Sequence, residues 1–122
     1  MRSQGGNITA SGLLTNANLH TSGGDIYVDD VEGTTVLKTS GGDVVVGNTS
    51  GELNATTSGG NITVRRVTGD AVLTTSGGNI QAHADYPTKL SANTRGGNII
   101  ISGNYDRNTV TANTTGGTVH YM

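Results

Sequence analysis

The chain has 122 residues, with 20 Gly, one Pro and no Cys, Trp or Phe; 32% is apolar, 3% aromatic and 13% charged, and the formal net charge is −2. One domain, 1–122, is the ceiling at this length, and too few large apolar side chains are present to fill a conventional globular core. Absent cysteine excludes disulfide scaffolds, cysteine-zinc sites and thiol nucleophiles, no run of 18 apolar residues marks a membrane-spanning helix, and a slight negative charge gives no general attraction to nucleic acid. The opening Met1-Arg2-Ser3-Gln4-Gly5-Gly6 has no apolar stretch of the signal-peptide kind, so neither a leader nor membrane insertion is expected.

Order along the chain excludes disorder. Gly-Gly pairs stand at 5–6, 23–24, 41–42, 59–60, 77–78, 96–97 and 116–117, with spacings of 18, 18, 18, 18, 19 and 20. Self-similarity at a fixed short period marks a repeat architecture. A small polar residue follows each pair: Asn7, Asp25, Asp43, Asn61, Asn79, Asn98 and Thr118. A β-branched aliphatic comes next: Ile8, Ile26, Val44, Ile62, Ile80, Ile99 and Val119. Two residues later stand Ala10, Val28, Val46, Val64, Ala82, Ile101 and Tyr121. That is the strand period, so each pair opens a strand with these two columns facing inward.

A second strand precedes each following pair. Its inward columns read Ala17, Thr35, Leu53, Ala71, Leu90, Val110, then Leu19, Leu37, Ala55, Leu73, Ala92, Ala112, then Thr21, Thr39, Thr57, Thr75, Thr94, Thr114. A shorter stretch between the strands puts Leu13, Val31, Thr49 and Val67 in one column. The period is too short for a strand-helix unit, and the residues are strand formers. The expected fold is therefore all-β, a single-domain parallel β-solenoid of about six to seven coils of 18–20 residues. Equivalent positions stack roughly 4.8 Å apart. A thin coil is filled by small and β-branched side chains, so the missing aromatics are no obstacle. Gly-Gly is expected to turn the corner through positive φ. The following Asn or Asp bonds nearby amides or its stacked neighbours, and the Thr hydroxyls are satisfied along the stack.

The fifth and sixth repeats carry extra residues, in Ala84-Asp85-Tyr86-Pro87-Thr88-Lys89 and Asn104-Tyr105-Asp106-Arg107-Asn108. Insertions in a solenoid map to one face. Tyr86, Tyr105 and Arg107 are thereby the candidate ligand face.

The string Gly23 to Ser40, Gly-Gly-Asp-Ile-Tyr-Val-Asp-Asp-Val-Glu-Gly-Thr-Thr-Val-Leu-Lys-Thr-Ser, resembles a bacterial adhesin family, a domain of unknown function built from SGDIxVxxVxGxxxLxTxS units. Val44 to Ser58 and Ile62 to Ser76 repeat it. The resemblance implies a β-solenoid with a surface or envelope role and no established chemistry. In rung length and β-only content the chain is also similar to the bactofilins, which implies end-to-end polymerisation and a cytoplasmic location instead.

Catalytic and metal templates fail. Calcium nonapeptide repeats need Gly-Gly-x-Gly-x-Asp, and Gly24-Asp25-Ile26-Tyr27-Val28 lacks it. A hexapeptide acyltransferase coil needs an aliphatic every six residues, but Glu32, Lys38, Thr68 and Thr74 stand there. His20, His83 and His120 fall in three columns, so no metal cluster is implied. Asp29-Asp30 aligns with Gly47-Asn48, then with Arg65-Arg66, with His83 following. Two coils separate the opposite charges, which reads as an exposed corner. No catalytic residue, cofactor or metal is expected, and the protein is read as a non-enzyme.

The ends carry the functional hint. A solenoid with open end strands templates further strands. Here no candidate capping helix or polar tail is visible, so both ends are expected to be open. Through residue 60 six acids stand against two bases, net −4; from residue 61 three acids stand against five bases, net +2. Opposite ends attract in a head-to-tail stack. Ile8 and Ala10 at one end and Val119 and Tyr121 at the other continue the inner columns across such a joint. The expected function is a structural subunit, self-assembling head to tail into an extracellular or cell-surface filament or adhesin stalk. The alternative is a binding module that holds surface glycans around Tyr86 and Tyr105.

Overall fold

A computed structural model describes residues 2–3, 6–13, 17–49, 51–85, 89–104 and 110–121. Its strands fall into two parallel sheets. The first contains β1 (Arg2–Ser3), β3 (Ala17–Thr21), β5 (Thr35–Thr39), β7 (Glu52–Thr57), β9 (Asp70–Thr75), β11 (Lys89–Thr94) and β13 (Val110–Thr114), in that order. The second contains β2 (Ile8–Leu13), β4 (Ile26–Val31), β6 (Val44–Thr49), β8 (Ile62–Val67), β10 (Ile80–Asp85), β12 (Ile99–Asn104) and β14 (Val119–Tyr121). The chain alternates between the sheets, so every coil adds one rung to each. This is the expected parallel β-solenoid. The short stretch through Leu13 and Val31 is the end of the second-sheet strand rather than an element of its own.

The register reproduces the sequence columns. Ile8, Ile26, Val44, Ile62, Ile80, Ile99 and Val119 stack through the second sheet. Leu19, Leu37, Ala55, Leu73, Ala92 and Ala112 stack through the first. Between the sheets these columns form one continuous apolar core. Parallel sheets are usually covered on both faces. Here only the inner faces are covered; the outer positions are mixed, mostly polar, with Val36, Val45 and Ile100 half-buried and Tyr27 and Val72 exposed.

Two interactions lock coil to coil at the Gly-Gly corner. Each Thr-column hydroxyl donates to the carbonyl of a glycine one coil back: Thr39 to Gly24 at 2.9 Å, Thr57 to Gly42 at 2.8 Å, Thr75 to Gly60 at 2.9 Å. The same oxygen accepts the N–H of its own coil's second glycine, as in Gly60 to Thr57 at 3.3 Å. The second interaction is steric. A Cβ on Gly24, Gly42, Gly60, Gly78, Gly97 or Gly117 would collide with the glycine carbonyl of the coil before. A Cβ on Gly23, Gly41 or Gly59 would meet nothing within 4 Å.

This corrects the expected role of the pair. Among the described residues positive φ occurs at Gly12 (66°), Asp30 (57°) and Gly103 (105°), not in the Gly-Gly corners. The second glycine is required by close backbone approach, not by a left-handed turn. Positive φ belongs to an irregularity in the second sheet, two residues after the second inward column. There Asp29-Asp30 intervenes between Val28 and Val31, and Asp is one of the few side chains tolerated in that conformation.

Two predictions follow the contacts. Gly60→Ala should lower the stability measured by urea unfolding by about 3 kcal/mol or more, since backbone on both sides must move. Gly59→Ala, one residue away, should stay within about 0.5 kcal/mol. The second concerns threonine. Thr49 is buried with its hydroxyl unpaired, in a column shared with Val31 and Val67. Thr49→Val should therefore be neutral or stabilising by up to about 1 kcal/mol, whereas Thr57→Val should cost about 1–3 kcal/mol by orphaning a buried N–H and a buried carbonyl.

Candidate functional site

Three regions of the surface carry polar chemistry that the sequence singled out. The first is the Asx column after each Gly-Gly. Its side chains face solvent yet bond the stack itself. Asn7 Oδ1 accepts the N–H of Asp25 at 2.8 Å, Asp25 that of Asp43 at 2.8 Å, and Asp43 that of Asn61 at 2.8 Å. The ladder continues through Asn79 and Asn98 to Thr118. Asp25 and Asp43 thus act as backbone acceptors, holding the amide that each rung would otherwise leave to water. Thr118 ends the run, turning its own hydroxyl back to Asn98 Oδ1 at 3.2 Å.

The second region is the outer stripe beside the irregularity in the second sheet. Asp29 Oδ1 accepts the N–H of Asp30 at 3.1 Å and of Asn48 at 3.4 Å. A Cβ on Gly47 would collide with that carboxylate, so glycine is what lets Asp29 fold over the next rung. Asn48 is in register with Arg66, as expected. The pairing above it is not. Ala82 opposes Val64 and Ala84 opposes Val67, so two residues, Arg65 and Arg66, face the single His83. That β-bulge shifts the next coil's acid into reach. Arg66 Nε and Nη2 donate to Asp85 Oδ2 at 2.8 and 2.5 Å. The pair is solvated, with 58% and 25% side-chain exposure. His83 thus lies opposite the Arg65-Arg66 pair, as the column expects, but faces both residues rather than one. His83 Nδ1 also lies 3.2 Å from Ser102 Oγ, in the rung above.

The third region is the pair of end rungs. Ile8 is buried, while Ala10 and Val119 are partly buried against the core. Tyr121 is in register with Ile101 through β14. The proposed ligand face at Tyr86, Tyr105 and Arg107 lies outside the described residues. His20, His83 and His120 occupy separate positions, pairing with Lys38, Ser102 and Ile100. Among the described residues no three of His, Cys, Asp and Glu group as metal ligands, and no helix is long and apolar enough to cross a membrane.

Two seven-stranded parallel sheets joined by Gly-Gly corners, with Thr and Asx ladders along them, define a β-solenoid domain. The chain belongs to the Toastrack DUF4097 family, whose model matches residues 1–118. No curated protein and no solved structure matches it. The family is a β-solenoid domain of unknown function, consistent with a structural or surface role.

Asp25 and Asp43 are adjacent like charges at positions where Asn does the same work in other rungs. Asp25→Asn with Asp43→Asn keeps the Oδ1 acceptors and removes the repulsion. The double variant should gain about 0.2–1 kcal/mol in urea unfolding at neutral pH, and the gain should largely vanish in about 1 M salt.

Proposed function

We propose that this Toastrack domain is a non-enzymatic structural subunit that stacks head to tail with further copies of itself. The observation that carries the reading is the ladder: interior rungs bind one another through the same Thr, Gly and Asx groups, so an added copy would meet the same glycine carbonyl, with Thr118 in place of the Asx acceptor. At one end Gly6 holds the position that elsewhere packs against the preceding coil's glycine carbonyl, and Asn7 the position whose N–H bonds the preceding Asx side chain. At the other, Gly117 and Thr118 hold the positions that bond the following coil. In the proposed joint the Gly6 of one copy lies over the Gly117 carbonyl of another. The Asn7 N–H of the first meets the Thr118 hydroxyl oxygen of the second. Ile8 and Ala10 then continue the columns of Val119 and Tyr121.

Charge supports the orientation, because the acidic first half meets the more basic second half. The outer carboxylates support the non-enzymatic reading. Asp25, Asp29 and Asp43 accept backbone amides, and Asp85 is paired with Arg66. This reading places the stack outside the cell or on its surface, where a stiff rod one coil wide holds what it carries away from the envelope.

Negative-stain electron microscopy over a concentration series tests it. The expected result is unbranched filaments with an axial repeat near seven rungs, about 34 Å. Gly6→Val should abolish them, since its side chain stands where the neighbouring copy's carbonyl packs, with circular dichroism showing the single subunit still folded. Particles that stay monomeric at every concentration would overturn the proposal.

A further inference from the structure

The stripe beside the bulge holds chemistry that stacking does not use. Thr63, Arg65, Gln81, His83 and Ser102 line one shallow depression on the outer face of the second sheet. They come from three successive rungs, β8, β10 and β12, so the depression runs along the solenoid axis. Arg65, Gln81 and His83 are exposed. We propose that this depression binds an acidic oligosaccharide, with Arg65 and His83 holding its carboxylate or sulfate group.

Three observations converge on that chemistry. The bulge commits Arg66 to Asp85 and leaves Arg65 without a carboxylate partner among the described residues. Asp29, in the same outer stripe two rungs back, is held by the amides of Asp30 and Asn48. An unpaired guanidinium offers a planar fork of donors matched to a carboxylate or sulfate.

The second observation is the neighbouring ring. The Ser102 hydroxyl, 3.2 Å from His83 Nδ1, fixes the imidazole across the rung. The imidazole is thereby held beside Arg65 in the same depression, where its second ring nitrogen adds a further polar group.

The third is the remainder of the lining. Beside Val64, which is buried, Thr63, Gln81 and Ser102 bring hydroxyl and amide groups that donate and accept, as sugar hydroxyls do. The site is an open trough rather than a cavity, which suits an extended chain lying along the axis. A nucleic acid is disfavoured: the depression presents one arginine, in a chain of net charge −2, and cannot neutralise a run of phosphates. The site is independent of end-to-end stacking, so either proposal can fail without the other.

Calorimetric titration of the 122-residue chain, at a concentration where sedimentation shows single subunits, tests the assignment. The probes are trigalacturonate for the carboxylate, a chondroitin sulfate tetrasaccharide for the sulfate, and neutral maltotriose. At least one acidic probe should bind and maltotriose should not. Arg65→Gln should weaken binding by about ten-fold or more, the loss of one charge-assisted pair. Lys38→Gln makes the same change in net charge on the opposite sheet and should leave affinity unaltered. Circular dichroism should show both variants folded and melting as the parent does. Maltotriose binding as tightly as the acids, equal losses in the two variants, an unaffected Arg65→Gln, or no binding by any probe would overturn the proposal.

Discussion

The carbonyl oxygen of the second corner glycine sets the spacing of the whole stack. It receives the hydroxyl of the next coil's threonine and lies against the next coil's glycine, where no side chain fits. The threonine oxygen in turn accepts that glycine's N–H. Donor, hydroxyl and carbonyl therefore form one relay that crosses from coil to coil, each bond polarising the next. The corner thus does two jobs that usually need separate devices. It turns the chain from the first sheet to the second, and it satisfies backbone groups that a buried turn leaves unpaired. The Asx ladder repeats the second job on the solvent side of the same corner.

A stack held this way is a sum of nearest-neighbour contacts. The core columns need only aliphatic residues that alternate, so alanine, valine, leucine and isoleucine interchange along them without loss of register. This is why a chain with 3% aromatic residues builds a continuous core. It is also why the fold was legible in the sequence. Seven Gly-Gly pairs fix the phase of every coil, and a period of two after each pair assigns faces without any long-range information. The Thr and Asx columns were equally visible, because a ladder requires the same residue type at every rung.

What was not legible involves places where the chain departs from its own translation. The sequence shows a glycine pair but not which glycine is essential or why. Positive φ and close approach both select glycine, and only the carbonyl over Gly60 distinguishes them. The Arg66–Asp85 pair was hidden for a related reason. Counting from the Gly-Gly corner assumes that each strand keeps its length, which puts Ala84 opposite Arg66 and Asp85 in the Val67 column, out of reach. The available signal was local. Val64-Arg65-Arg66-Val67 has two residues between its aliphatics, and Ala82-His83-Ala84 has one. Since small and branched residues share the inner columns, that difference marks a deleted bulge residue. The extra length of the fifth repeat then belongs to the segment between β10 and β11. The insert face itself, with Tyr86, Tyr105 and Arg107, lies outside the described residues.

The division between inner and outer positions has a consequence for where function can reside. Inward, a change must satisfy the core and the corner relay of two neighbouring coils at once. Outward, a side chain answers only to its flanking rungs, and parallel stacking places it directly beside them. Any chemistry that arises at one outer position is therefore presented as part of a row along the axis. Identical rows become structural ladders, as the Asx column has. A row that breaks identity, such as Asp29, Gly47, Arg65 and, across the bulge, His83 and Ser102, adds nothing to the repeat and places unlike groups at a fixed pitch. The bulge sharpens this by diverting Arg66 to Asp85 and leaving Arg65 outward. Regularity thus accounts for the stability of the rod, and this irregular row gives it a chemically distinctive surface.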